Sequence, residues 1–142
     1  MRIEQVHEAT AELVEAVERL LPQLNEARTP PTLVQLAEAV ERHAVLVARD
    51  ETSGAIIGTL TLVLYRVPSG LKARIEDVIV DEAARGQGVG EALTREAMRR
   101  ATDAGARMVE LTSMPYREAA NRLYRRLGFV NKRTNVYVWW PR

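Results

Sequence analysis

The stretch that decides the fold is "IEDVIVDEAARGQGVGEAL", which runs from Ile75 to Leu93. It begins with an apolar segment, Ile75–Val80, that is rich in the β-branched residues typical of strands. It continues through Gly86, Gly88 and Gly90 into residues that favour helix. Glycine is unfavourable inside a strand or a helix. The three glycines therefore predict a tight turn between a strand and a helix.

A strand that ends in a glycine-rich turn and opens a helix is a recurrent anion-binding arrangement. The first N–H groups of a helix have no partner within it, and the helix dipole places partial positive charge there. Arg85 adds a full positive charge beside the turn. The alternative interpretation is structural, with the glycines needed only for the turn and for helix–strand packing.

Two common phosphate-binding motifs do not fit this turn. A P-loop requires Lys and then Ser or Thr after its last glycine, but here Glu91 follows. A dinucleotide fingerprint requires a glycine where Glu91 stands. An acid, Glu110, does follow at about the expected ~20-residue distance, but too little chain remains for a doubly wound sheet. The pattern that is satisfied is Arg-x-x-Gly-x-Gly, at Arg85, Gly88 and Gly90.

Apolar periodicity and turn residues predict a single domain over residues 1–142, with an α/β (α+β) fold and helices on both faces of a mixed sheet. Thr32 and Gln35 predict a capping box, and Gly58 predicts a bulge or a close backbone approach. Helices are predicted over Leu13–Leu24, Leu33–Val40, Val89–Ala104 and Arg117–Gly128. Strands are predicted over Arg2–Val6, Ala44–Arg49, Ala55–Val67, Leu71–Val80 and Arg107–Ser113, with one or two more in Phe129–Trp140.

Composition excludes several classes of function. The 142 residues carry a net charge of about +1, which gives no sign of a nucleic-acid or membrane partner. With no cysteine, disulfides, thiolate zinc sites and cysteine nucleophiles are excluded. His7 and His43 stand alone, so no metal site is expected. The charged N-terminal stretch does not resemble a signal peptide, and a cytoplasmic location is expected.

A second stretch, "NRLYRRLGF" at Asn121–Phe129, places Asn and Tyr on a helix that ends in Leu-Gly-Phe. Together with the glycine turn, it resembles the GNAT superfamily of acyl-CoA N-acyltransferases, and the order of elements is similar over nearly the whole chain. The resemblance implies a mostly antiparallel central sheet. It also implies that two strands splay apart to form an acyl-CoA slot, here between Val78–Val80 and Leu111–Met114.

The resemblance further implies that acetyl-CoA is the cosubstrate. Its pyrophosphate is expected on the backbone amides of Gln87–Gly90 beside Arg85, and its pantetheine arm along the strand before the turn. Asn121 is expected to bond that arm. The expected cosubstrate-binding residues are Val78, Ile79, Val80, Arg85, Gly86, Gln87, Gly88, Val89, Gly90 and Asn121.

Two residues are candidates for the chemistry. The resemblance places Tyr124 near the CoA sulfur, where a phenol with an ordinary pKa of about 10 could protonate the leaving thiolate. Its alternative role is packing beside Leu123 and Leu127. Glu76 is the candidate base, directly or through water, and strand alternation predicts that it and Asp77 face opposite ways. The alternatives are a solvated or paired carboxylate and ordered water alone as the base.

The predicted function is transfer of acetyl from acetyl-CoA to a primary amine of a small molecule by direct attack. One alternative is a non-catalytic acyl-CoA-binding or sensing domain of the same fold. Another is a protein N-acetyltransferase. The resemblance also makes a homodimer a reasonable expectation. The sequence does not identify the acceptor.

Overall fold

The computed structural model describes residues 1–24 and 29–142. It forms two compact units, Met1–Leu111 and Thr112–Arg142. Within the described residues, no helix has the length and apolarity needed to cross a membrane.

The first unit is built on a five-stranded sheet in the order β1-β2-β3-β4-β5. The first three pairings are antiparallel and the β4–β5 pairing is parallel. This confirms the predicted mixed, mostly antiparallel sheet. The strands are β1 (Arg2–Gln5), β2 (Ala44–Arg49), β3 (Ile56–Val67), β4 (Gly70–Val80) and β5 (Val109–Glu110).

The helices are α1 (Ala11–Leu20), α2 (Leu33–Arg42), α3 (Val89–Asp103) and, in the second unit, α4 (Glu118–Arg126). The predicted first helix ends early as an α-helix and continues as a 3₁₀ turn over Leu21–Leu24, where Pro22 lacks the N–H that an α-helix would use. The predicted capping box is confirmed, since Thr32 and Gln35 bond each other's backbone N–H at 3.2 and 2.9 Å.

Helices cover both faces of the sheet. Side chains of α1 and α2 pack against Val45, Val47 and Ile79 in one core cluster. The opposite face carries α3, which approaches β3 at Gly58. A Cβ there would lie 2.9 Å from Val89 Cγ1 and 3.1 Å from the Ile79 carbonyl oxygen. Both expectations for Gly58 are confirmed, because the β2–β3 register also shifts beside it.

The C-terminal prediction was wrong. No strand is assigned over residues 129–142, and the predicted strand at Arg107–Ser113 is reduced to Val109–Glu110. Trp139 and Trp140, at the end of this segment, are 81% and 72% exposed. The β-branched and aromatic residues of this segment favour a strand, but a strand also needs a backbone partner, and no pairing to this segment occurs among the described residues.

Candidate functional site

A bulge interrupts β4 shortly before the glycine turn. Thr61 pairs with Glu76 and Thr59 with Ile79, so β4 contains one residue more than β3 over this interval. Asp77 has φ 50° and is the one non-glycine residue with positive φ in the described part of the chain. An extra residue in the left-handed region is a known form of β-bulge. The simple alternation that separated Glu76 from Asp77 therefore ends here.

The residues of β4 after the bulge, Val78–Val80, have a strand neighbour on one edge. The parallel pairing with β5 ends at Arg74 and Glu110, whereas β4 continues to Val80. At Val78–Val80, the described strands pair with β4 on its β3 side alone. The Leu111–Met114 segment, expected to flank the slot, has no strand assignment. An edge of this kind presents N–H and C=O groups that an extended ligand can bond, although the Val80 carbonyl oxygen already accepts from Arg85.

The turn after β4 is open at its glycines. Gly86 and Gly88 have φ 79° and 80°, a region that is costly for residues with a Cβ. No atom lies within 4 Å of a Cβ built at either position. Gly88 is the N-cap of α3 and supplies no side-chain cap. Glycine is therefore required by the backbone conformation and not by crowding, and the start of α3 faces open space.

The neighbours of these glycines have distinct environments. The Val89 side chain is buried, so only its backbone can face a ligand. Gln87 is exposed, and Gly90 lies in the first turn of α3. The Arg85 Nε donates to the Val80 carbonyl oxygen at 3.3 Å, which holds this exposed cation at the end of β4.

Glu76 is held in an ion-pair cluster that sequence reasoning did not include. Its carboxylate accepts a hydrogen bond from Arg74 Nε, and Arg74 Nη1 donates to Glu110 at 3.2 Å. The bond to Glu76 raises the pKa of Arg74 above its ordinary value. Arg74 and Glu76 are two residues apart on a strand and so share a face, a signal that was present in the sequence. Glu110 was not predictable as a partner, because it comes from another strand.

In the second unit, α4 carries the two remaining candidates. Tyr124 contacts Phe129 edge to face, with the ring centroids 5.8 Å apart. Burial raises the pKa of Tyr124 above its usual value, and the charge of Arg117 offsets part of this. The phenol therefore keeps its proton at neutral pH. Asn121 Nδ2 donates to the Met114 carbonyl oxygen at 3.1 Å, so this side chain also ties α4 to the segment before it.

The predicted residues thus fall into two groups. Glu76, Val78–Val80 and Arg85–Gly90 form one continuous strand–turn–helix element in the first unit. Asn121 and Tyr124 share α4 in the second unit.

An uncapped helix start after a strand with a free edge defines an α/β domain suited to a ligand with phosphates and an extended arm. The chain matches the model of the acetyltransferase (GNAT) family over residues 10–129 and belongs to that family. It is 30% identical over 121 residues to glucosamine 6-phosphate N-acetyltransferase 1 of Oryza sativa subsp. japonica, covering 83% of this chain and 72% of the relative. The predicted enzyme class, an acetyl-CoA-dependent N-acetyltransferase, is confirmed.

Solved structures agree on the fold. A Trypanosoma brucei acetyltransferase matches with a TM-score of 0.76 and 25% identity, covering 98% of this chain and 99% of that one. The glucosamine-6-phosphate N-acetyltransferase of Arabidopsis thaliana matches with a TM-score of 0.80 and 23% identity, covering 99% and 98%.

Proposed function

We propose that this enzyme acetylates the primary amine of a small amino sugar phosphate, using acetyl-CoA bound along β4 and at the start of α3. The observation that carries the cosubstrate assignment is the Gly88 N-cap, which leaves the first turn of α3 without a side-chain cap and open to an anion. The relatives that act on glucosamine 6-phosphate support the acceptor class.

In this proposal the cosubstrate is held by backbone more than by side chains. The pyrophosphate accepts hydrogen bonds from the amides of Gln87–Gly90, and Gly86 lets the chain approach it closely. Arg85 contributes charge through the nitrogens that do not bond Val80. The pantetheine arm bonds backbone groups of Val78–Val80 on the edge of β4 away from β3, beside the Val80 carbonyl that Arg85 bonds. Asn121 Oδ1 accepts from a pantetheine amide, since its Nδ2 already bonds Met114.

The reaction is a direct transfer. The neutral amine attacks the thioester carbonyl carbon, the new C–N bond forms, and the C–S bond breaks. The departing thiolate takes a proton from Tyr124, whose raised pKa keeps that proton available at neutral pH. The amine proton leaves to Glu76 or to water. Glu76 pairs with Thr61 on the face of the sheet that α1 and α2 cover, and its salt bridge to Arg74 leaves water as the competing base.

The test is CoA release from acetyl-CoA with a panel of acceptors. Glucosamine 6-phosphate should be turned over with a higher kcat/KM than glucosamine, because the phosphate adds binding energy. N-acetylglucosamine 6-phosphate is the matched control, since it keeps the phosphate but lacks the free amine. Polyamines, amino acids and peptide N-termini complete the panel. Faster turnover of a peptide N-terminus would indicate a protein N-acetyltransferase instead. Tight acetyl-CoA binding with no CoA release from any amine would indicate a non-catalytic acyl-CoA-binding domain.

We also propose a homodimer. Its support is an exposed apolar run near the C-terminus, formed by Val136, Tyr137, Val138, Trp139 and Trp140, because exposed patches of this kind commonly mark interaction sites. Light scattering after size exclusion should give twice the 15.9 kDa chain mass. A monomer at micromolar concentration would contradict it. The cytoplasmic location stays a prediction, which cell fractionation can test.

A further inference from the structure

Residues Asp81–Arg85 form the entrance to the glycine turn. Side chains of α1 and of the 3₁₀ turn that follows it bond the first two of these residues. Arg19, near the end of α1, donates through Nη1 to the Asp81 carboxylate and through Nη2 to the Ile56 carbonyl oxygen at 2.8 Å. One step further, the Gln23 Oε1 accepts from the Glu82 backbone N–H at 2.9 Å. Two side chains from one helical segment therefore hold two consecutive residues of the turn.

Asp81 connects this fastening to the backbone of the turn. Its N–H donates to the Ile57 carbonyl oxygen at 2.8 Å. Its second carboxylate oxygen, Oδ1, accepts from the Ala83 N–H at 3.3 Å and caps the short 3₁₀ turn at Glu82–Ala84. One carboxylate thus faces Arg19 on one side and shapes the backbone on the other. The fastened part ends just before Gly86, where the open part begins.

We propose that Arg19 and Gln23 are positioning residues that hold the Asp81–Arg85 entrance so that the amides after it are preorganised for the pyrophosphate of the acyl donor. This rests on the proposed function, which places the pyrophosphate there. A turn that must be ordered at the moment of binding loses affinity to conformational entropy, and a turn that is already fixed does not. Neither side chain needs to touch the donor to act in this way.

The test compares two acyl donors. Acetyl-CoA carries the pyrophosphate, whereas S-acetylpantetheine carries the same thioester and arm without it. Arg19→Ala and Gln23→Ala should each raise KM for acetyl-CoA about three- to tenfold, the range expected for a partly exposed hydrogen bond to a charged or backbone group. The kcat should stay within about twofold, and KM for S-acetylpantetheine should not change. General damage to the fold would affect both donors alike.

Control variants separate the effect of the position of Arg19 from the effect of losing a charged side chain. Arg99 is also ion-paired, with Glu96 and Asp103, but lies in the C-terminal half of α3, so Arg99→Ala should leave both KM values unchanged. Asp81→Asn keeps the Oδ1 cap and the Arg19–Ile56 bond but loses the charge, so it should raise KM for acetyl-CoA alone, by no more than Arg19→Ala does. The double variant Arg19→Ala/Asp81→Asn should then be no worse than Arg19→Ala alone. If Arg19→Ala does not fold, Asp81→Asn alone carries the test.

The outcomes are distinguishable. If the wild-type enzyme uses both donors with equal KM, the pyrophosphate is not held at the turn, and the proposed cosubstrate assignment fails. If the wild type prefers acetyl-CoA and Arg19→Ala keeps that preference in full, the assignment stands and the positioning role is refuted. Equal losses with both donors would also refute it, because they would indicate a role in overall stability.

Discussion

Replacing Gly88 with alanine separates the two interpretations of the glycine turn, since it adds one methyl group at the centre of the open surface. Gly88 has φ 80°, and a Cβ there meets no atom within 4 Å. The change therefore introduces backbone strain without a clash. A residue with a Cβ in the left-handed region costs about 1–2 kcal/mol. For a chain of this size that corresponds to a fall in Tm of about 3–8 °C.

The chain contains a matched control at Gly54, in the turn between β2 and β3. It has φ 73° and is equally free of neighbours. Gly54→Ala should therefore lower the Tm by a similar amount. Only Gly88→Ala should affect CoA, because only there does the new methyl group occupy space next to the proposed phosphate amides. We expect its Kd for CoA to rise at least about tenfold, or about 1.4 kcal/mol.

Calorimetric titration with CoA and thermal denaturation of both variants measure the two effects independently. Phosphate binding at this turn is refuted if Gly88→Ala loses stability as Gly54→Ala does and still binds CoA as the wild type does. In that case the glycine serves only the turn, and the structural interpretation of the motif is correct.

Four further predictions, on three variants, concern the chemistry and the packing beneath it. Tyr124→Phe should lower kcat at least about tenfold with little change in Tm or acetyl-CoA affinity, because the ring contact with Phe129 is kept; an unchanged kcat with chemistry rate-limiting would leave Tyr124 a packing role. In an absorbance titration, the wild type should show one tyrosine that ionises at higher pH than an ordinary phenol, because burial raises the pKa of Tyr124. Tyr124→Phe should lose this ionisation. Glu76→Gln should lower kcat and move the acidic limb of the pH–rate profile, and an unaltered profile would point to water as the base. Gly58→Ala should cost about 1–3 kcal/mol through overpacking against Val89, and equal unfolding free energies in urea would show that α3 shifts without strain.

The sequence predicted best those features that depend on neighbours in the chain. The capping box at Thr32 and the turn at Gly86–Gly88 follow from side-chain chemistry and φ preferences within a few residues. The close approach at Gly58 also left a local sign, since a glycine inside an apolar strand is otherwise unfavourable. Features set by pairing between distant segments were harder to predict from the sequence. Arg74 could be placed beside Glu76 by alternation, but its bridge to Glu110 depends on which strand lies next to β4.

The C-terminal segment is a second case in which pairing between distant segments could not be predicted. Val136–Trp140 consists of β-branched and aromatic residues, which favour strands, so local preference alone predicts extended pairing. Whether such a segment pairs depends on an available edge at the right distance, and the composition of the segment itself does not reveal that edge. The prediction therefore failed where its local evidence was strong and its tertiary requirement was untested.

The bulge at Asp77 changes the face of the sheet to which the following residues of β4 point. Before it, Ile75 pairs with Leu62 on the face that α3 covers; after it, Ile79 pairs with Thr59 and joins the α1–α2 core. Without the extra residue, strict alternation would place Ile75 and Ile79 on one face. Aspartate tolerates the positive φ that the extra residue adopts better than most non-glycine residues. The two adjacent acids in this apolar strand therefore have separate explanations. Glu76 lies on the α1–α2 face, where it pairs with Arg74. Asp77 adopts the backbone conformation that shifts the register.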